Sequence, residues 1–330
     1  MPLRMPAETK TRTKDGEVAA CLTPAVPKLF IITGRCGRLA NRMVLFANFV
    51  ALAEEQGHQV SNPTFHSYAT MFETTRRDIY CRYPAASKRS FFDVIPGVAG
   101  VIRGTRVFFR LGRAAGLLNQ RVPVFGSHVI TLRQSAGQEI TELDGAEVQE
   151  KIRPARVVLV NGWNFRAPAL VRRHAGKIKA YFRPISTFDE AASRAIEPLR
   201  QEAEVVVGVH IRRGDYANWK GGQCFFPVER YAAWMRELSE QFRPANVSFL
   251  VCSNEPRDAA EFPGLSVGFG PGSPVGDLYA LARCDYIFGP LSTFTQWASF
   301  YGNKPLFHLY DEQSSIEREQ FRVSDLSEVP

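Results

Sequence analysis

From Asp189 to His308 the chain alternates stretches of helical period with short runs of apolar, mostly β-branched residues. A helix over Asp189–Ala203 leads to a strand over Val205–His210, and a helix over Val228–Gln241 to a strand over Val247–Cys252. After the short apolar segment Leu265–Phe269 come a helix over Asp277–Arg283 and a strand over Asp285–Phe288. A helix from Thr293 to about Tyr301 and a strand over Pro305–His308 complete the series. Strands joined through helices leave little choice: the sheet is parallel and its crossovers are right-handed. The run Val205-Val206-Val207-Gly208-Val209 is dense enough in β-branched residues to be buried on both faces. Polar residues that follow such strands stand at the carboxyl edge of the sheet, where open α/β sheets bind their ligands.

The same grammar opens the chain. Lys28 to Thr33 reads as a strand, Gly34 to Asn41 as a glycine-bearing loop, and Ala40 to about Gln56 as a long helix closed by Gly57-His58. His58 to Ser61 follows as a second strand, so this is the start of a Rossmann-like unit. Val157–Val160 is a further strand, Pro168 to Tyr181 a helix ending near Pro184, and Tyr181 to Thr187 the crossover between two halves. At 330 residues the length suits two domains. The expected division is a polar, aperiodic, disordered segment 1–27, an N-terminal domain 28–180 and a C-terminal domain 181–330. Residues 62–156 carry little clear periodicity. Within them, 101–118 places Arg103, Arg106, Arg110 and Arg113 at helical spacing among Val107, Phe108, Phe109, Leu111 and Leu117. Two readings stay open there: a basic amphipathic helix in peripheral contact with an anionic membrane, or an ordinary surface helix with an arginine face.

A net charge of +8 favours anionic partners. Nucleic acid is not expected among them, because no long run of like charge and no DNA- or RNA-binding signature is present. The six cysteines show neither C-x-x-C pairing nor ligand spacing with histidine, so no metal site is expected and the thiols read as reduced. Met1 to Lys14 has no apolar core of the kind a signal peptide needs, and no stretch is long enough for a membrane span. The expected location is therefore cytoplasmic, with the membrane's cytosolic face as an option through 101–118.

The chemistry concentrates at the strand exits. His210-Ile211-Arg212-Arg213-Gly214-Asp215-Tyr216 leaves the valine strand with two adjacent guanidiniums, which are costly to bury unless an anion meets them. Bidentate pairing suits phosphate or carboxylate. Ser253-Asn254-Glu255-Pro256 follows the next strand. Gly289-Pro290-Leu291-Ser292-Thr293-Phe294 follows the strand Asp285–Phe288 and opens a helix, where Ser292 and Thr293 act as N-caps or, with the free amides, hold phosphate. Asp277 opens the helix after Gly270-Pro271-Gly272-Ser273, either as a cap or as a carboxylate that takes two N–H bonds from guanine.

At these positions the chain resembles the fucosyltransferases that share an H-x-R-R-x-D element, most closely the alpha-1,2 type of glycosyltransferase family 11. His210 to Tyr216 matches their H-x-R-R-G-D-Y. Gly37 to Ala47 is similar to their G-G-L-G-N-Q-M-F-Q-Y-A, and Asp277, Cys284-Asp285 and Ser292 to Trp297 to their last motif. Order and spacing agree over roughly residues 28–308. The resemblance implies an α/β GT-B fold, two Rossmann-like domains facing across a cleft, with GDP-fucose held mainly by the C-terminal one and the acceptor by the N-terminal one. It implies that Arg212 and Arg213 hold the diphosphate, that His210 and Asp277 contact the nucleoside, and that Ser292, Thr293 and Phe294 complete the phosphate cradle. Gly37 and Asn41 would approach the donor from the other domain.

The implied activity is inverting and metal-independent: transfer of fucose from GDP-fucose to a hydroxyl of an oligosaccharide or lipid-linked glycan, in the family an alpha-1,2 linkage to galactoside. Fixed arginines and helix N-termini stabilise a leaving diphosphate without metal or other cofactor. Asp215, the motif's only carboxylate, is either the base for the acceptor hydroxyl or the residue that orients an arginine. Arg38, Ala40 and Arg42 stand where the family has Gly, Gly and Gln, making the loop bulkier and more basic, and Gln296 stands where it often has Trp. Other readings are a transferase of the same fold using another GDP-sugar, and a non-catalytic nucleotide- or glycan-binding protein. A dinucleotide oxidoreductase is disfavoured, since no G-x-G-x-x-G follows the first strand.

Overall fold

The computed structural model describes residues 26–78, 80–85, 114, 128–134 and 140–330. Most of the segment 1–27 and all of 101–118 except Ala114 lie outside the described residues. The first half builds on strand β1 (Leu29–Ile32), helix α1 (Leu39–Gln56) and strand β2 (Gln59–Ser61), as the pattern predicts. Strands β3 (Arg82–Tyr83), β4 (Val129–Arg133) and β6 (Val157–Asn161) complete a five-stranded sheet of order β3-β2-β1-β6-β4. Only the β2–β3 pair in it is antiparallel. Strands β5 (Thr141–Glu142) and β7 (Phe165–Arg166) form a separate small ladder, and a short helix α2 (Ala146–Ile152) precedes β6.

Helix α1 is the axis of this half. Every residue from Leu39 to Ala53 except Asn41 is buried, so it is apolar all round rather than amphipathic, as a helix enclosed by protein must be. Asn48, buried within it, accepts the N–H of Ala167 at 2.7 Å and so anchors the next helix. The single helix expected over Pro168–Tyr181 is instead two, α3 (Pro168–Arg173) and α4 (Ala175–Tyr181). The break falls at His174, whose backbone leaves helical geometry where its ring meets Glu55 of α1 at 2.6 Å.

The second half repeats the plan with a fully parallel sheet. Helix α5 (Ser186–Glu202) enters strand β8 (Val205–Ile211), and helix α6 (Val228–Phe242) leads to β9 (Val247–Ser253) and the edge strand β10 (Ser266–Phe269). Helix α7 (Pro274–Leu281), strand β11 (Tyr286–Pro290), helix α8 (Thr293–Gly302) and strand β12 (Leu306–Leu309) follow, giving the order β10-β9-β8-β11-β12. The chain winds to one side of β8 and then returns to the other, so the β8/β11 exits form the switch point where such sheets leave a crevice. The helix expected to start at Asp277 starts one turn earlier. Ser273 is its cap, accepting the Gly276 N–H, with Pro at the first position where a lost N–H costs nothing.

The two halves share one apolar core. Phe182 lies in the link between α4 and α5 with its ring 5.5 Å from Phe46 of α1 and 4.9 Å from Trp297 of α8. Phe72 meets Tyr279 of α7 in the same seam. This packing brings the N-terminus of α1 against the N-terminus of α8, where the Thr293 hydroxyl donates to Asn41 Oδ1 at 2.5 Å.

Candidate active site

Between those two helix starts lies a cavity of about 480 Å³, walled by Gly37, Arg38 and Asn41 from one half and by Arg212, Asp215, Ser292, Thr293 and Phe294 from the other. Gly37 is required where it stands: its φ is +43°, and a Cβ there would lie 2.2 Å from Asn41 Nδ2. The loop is held from behind by Arg42, which is 3% exposed and donates to the carbonyls of Cys36, Gly37 and Thr64 and to Ser67 Oγ. The charge of Arg42 is spent inward, bracing the loop. Arg38 does face the opening, with its guanidinium 3.6 Å from Asp215 across the cleft.

Neither helix start carries an acidic residue in its first turn, and Arg38 offers α1 no side-chain cap. Ser292 caps α8 by accepting the Phe294 N–H at 3.1 Å, as its residue type predicts. Free amides and the positive ends of two helix dipoles thus converge on one volume, a setting for anionic oxygen. Arg212 adds a full charge. Its Nη2 lies 2.7 and 2.8 Å from the two oxygens of Asp215, and its guanidinium carbon 5.4 Å from the centre of the Tyr216 ring. Tyr216 in turn donates its hydroxyl to the carbonyl of Leu291, tying the β8 exit to the β11 exit.

Two expected site residues are not on this wall. Arg213 turns away: its backbone N–H goes to Asn254 Oδ1, its Nη1 donates to the carbonyl of Phe226, and its guanidinium lies over the Phe225 ring at 3.9 Å. Of the two arginines expected to hold the diphosphate, only Arg212 lines this cavity, because successive residues leaving an extended strand point to opposite sides. His210 is 4% exposed and sits one layer behind Phe294, with ring centroids 4.8 Å apart. Burial first, then the charges of Arg212 and His308, push its pKa down to about 3, so the ring is neutral. Its Nδ1 has no hydrogen-bond partner among the described residues.

Asp277 occupies an adjoining cavity of about 360 Å³ at the β9 and β10 exits, which shares Asn254 with the larger one. Its Oδ1 accepts the N–H of Gly272 at 2.8 Å, so it caps nothing at its own helix start. Burial raises its pKa to about 6 against that hydrogen bond. Gly270 is what leaves the carboxylate room, since a Cβ there would stand 2.6 Å from Asp277 Oδ1 and from Cys252 Sγ. Residues with no motif around them also line the main cavity: Tyr68, Trp163 and Trp219. Among the described residues no three His, Cys, Asp or Glu side chains come together as a metal would require, and no helix is long and apolar enough to cross a membrane.

No family model matches the chain. Over 108 residues it is 34% identical to the galactoside alpha-(1,2)-fucosyltransferase 1 of Saimiri sciureus, a match covering 28% of each protein. Over 130 residues it is 31% identical to the enzyme of that name from Aotus azarae, covering 34% of each. The chain thus spans about a third or less of the length of these curated relatives. In three dimensions it is similar to a variant of Arabidopsis thaliana FUT1 in complex with GDP, with a TM-score of 0.55 over 88% of this chain and 72% of the other, at 13% identity. The α/β GT-B architecture expected from the motifs is the one observed, two Rossmann-like halves facing across a cleft. The sequence likeness to the alpha-1,2-fucosyltransferases likewise holds.

Proposed function

We propose that the protein is an inverting glycosyltransferase that moves fucose from GDP-fucose to a glycan hydroxyl, in the manner its alpha-1,2 relatives' names indicate. The observation that carries this reading is the convergence of Arg212 and two uncharged helix N-termini on one cavity, each half of the molecule supplying one of them. In this transfer the acceptor oxygen bonds to C1 of the sugar and releases its proton to solvent, while the bond from C1 to the β-phosphate oxygen breaks and the electron pair leaves on the diphosphate. The dominant demand is charge growing on that leaving group. Groups already pointing at it stabilise it without reorganising, and this supports a reaction that needs no metal.

Within this reading Arg212 holds the β-phosphate, the amides of Ser292 and Thr293 hold the diphosphate from the C-terminal side, and Gly37 and Asn41 close on it from the other. Asp277 takes guanine in the adjoining cavity, with Asn254 at the junction. Asp215 is assigned the orienting role rather than that of a base, because both its oxygens are engaged by Arg212 and one also faces Arg38. His210 supports Phe294 from behind. The net charge of +8 supports attraction to an anionic, membrane-borne glycan as acceptor.

The test is transfer from GDP-fucose to a β-galactoside in EDTA, with the product linkage read by NMR, beside titrations with GDP and UDP. Transfer with an inverted anomeric centre and guanine-selective binding are expected. A chain that binds no guanine nucleotide would overturn the reading.

A further inference from the structure

We infer that the acceptor sugar has its own subsite at the carboxyl ends of β1 and β6, where a galactose ring stacks on Trp163 and hydrogen-bonds to Asn161. This rests on the fucosyl-transfer reading above. The N-terminal sheet has a switch point of its own: from β1 the chain goes through α1 to β2 on one side, while β6 pairs on the other. By the rule that places ligands at such points, this is the second crevice of the molecule. A cavity of about 230 Å³ occupies it, lined among others by Gly34, Asn161, Gly162 and Trp163. It shares Gly37, Asn41 and Trp163 with the main cavity, so a ring seated there has a short path to the leaving-group site.

The lining suits a sugar, offering an aromatic face and an uncharged amide in a wall that also includes Arg35 and Cys36. Trp163 is half-buried, and its ring is backed by the guanidinium of Arg166 at 5.2 Å. Arg166 is 1% exposed and donates to the carbonyls of Trp163 and Phe165 at 2.6 and 3.0 Å, while its Nε and Nη2 find no partner among the described residues. Burying a guanidinium so poorly satisfied is costly, and what it secures is the placement of Trp163. An indole held this way offers a fixed apolar face at little further entropy cost, matching the C–H face that galactose presents through C3, C4 and C5.

The polar groups nearby divide cleanly. Gln134 is committed to the loop, accepting the Asn164 N–H and donating to Thr141 Oγ1. The Asn161 amide makes no hydrogen bond to a described residue, and neither does the indole N–H of Trp163. Asn161 therefore brings both a donor and an acceptor to a wall that also carries Arg35, Cys36 and glycine backbone. Gly34 keeps that wall open, since a Cβ on it would lie 2.9 Å from Asn161 Oδ1 and 3.1 Å from the Gly162 nitrogen.

The experiment is saturation-transfer NMR on the full chain with methyl β-galactoside, beside calorimetric titration with GDP. It is run on wild type and on Trp163→Ala, Trp163→Phe, Asn161→Ala and Gly34→Ala. Galactoside contact in the wild type is expected, with affinity lowered about tenfold in Trp163→Ala and Asn161→Ala and largely kept in Trp163→Phe. Gly34→Ala should also weaken it, and GDP affinity should stay within about twofold in Asn161→Ala and Gly34→Ala, whose positions line only the smaller cavity. A folded Trp163→Ala or Asn161→Ala protein that binds the galactoside as wild type does would refute the subsite. If GDP binds and wild type makes no galactoside contact, the subsite falls and the donor reading stands. If galactoside contact depends on Trp163 while no guanine nucleotide binds, the transfer reading falls and the sugar site survives.

Discussion

Asp277 offers the sharpest test of how the nucleotide is read. Burial has raised its pKa to about 6, so near neutrality the free protein carries a carboxylate that its surroundings resist. A carboxylate can accept both the ring N–H and the exocyclic amine of guanine, whereas the protonated acid cannot accept both. Binding therefore selects the ionised form and releases a proton wherever the free group is protonated. The sign follows directly: affinity is level above pH 7 and falls as pH drops through 6. At pH 5, one unit below the pKa, it is weaker by about tenfold, or ~1.4 kcal/mol. GDP is the wrong ligand for this measurement, because its terminal phosphate takes up a second proton in the same range. GDP-fucose is a diester of the diphosphate and has no such step. The assay is calorimetric titration with GDP-fucose from pH 5 to 7.5, in two buffers of different ionisation enthalpy so that proton release is counted. His210 contributes nothing in this window, since it is held neutral down to about pH 3. In Asp277→Asn the slope should vanish together with the preference for GDP over UDP. A wild-type affinity that is flat across the range, or an Asn variant that still prefers guanine, would refute the assignment.

Four further outcomes follow from the same geometry. Asp277→Asn should gain stability at pH 7.5 even as it loses nucleotide selectivity. A carboxyl whose folded pKa is raised contributes fully only below its unfolded pKa and loses that contribution as pH rises through 6, so removing the charge recovers up to ~3 kcal/mol, read as a higher unfolding midpoint in urea. Arg212→Ala should weaken GDP binding and cut kcat by about 10²–10³-fold in a steady-state assay; unchanged affinity would sink its role. Asp215→Asn should raise the GDP-fucose KM and lower kcat together if Asp215 orients Arg212, whereas a base would lower kcat alone. Arg42→Gln, which restores the residue type of the related motif, should cost ~2–4 kcal/mol in chemical denaturation because the carbonyls of Cys36, Gly37 and Thr64 lose a charged donor.

Much of the fold was legible because parallel α/β architecture writes itself into local pattern. β8, β9 and β11 are runs of buried residues, and α1 and α8 begin where a glycine loop and a Ser-Thr pair said they should. The errors were of start and continuity. Asp277 resembles a cap, but Ser273 and Pro274 together outrank it, and nothing local reveals that a buried carboxylate four residues in can turn back to Gly272. The break at His174 is set by Glu55, more than a hundred residues earlier in the chain, and such a tertiary pair leaves no trace in helical period. Adjacent arginines read as one unit in sequence, yet the alternation of an extended chain sends Arg212 to the cleft and Arg213 into its own domain.

What sequence could not supply was the half of the site that lies on the first domain. Gly37 and Asn41 belong to a motif, and both line the main cavity. Trp163, Asn161 and Arg166 belong to none. Trp163-Asn164-Phe165-Arg166 looks like any aromatic turn after a strand, and an isolated arginine there reads as surface charge. Only the sheet order puts β6 beside β1, so that the two exits form one crevice and Arg166 is forced inward behind an indole. The difference has a physical origin. A leaving diphosphate needs full charges and free amides, and where one strand exit and one helix start supply them their residues recur as a string. A sugar can be gripped by any rigid ring with a spare amide beside it, and the fold assembles such a grip from residues whose proximity exists only in three dimensions.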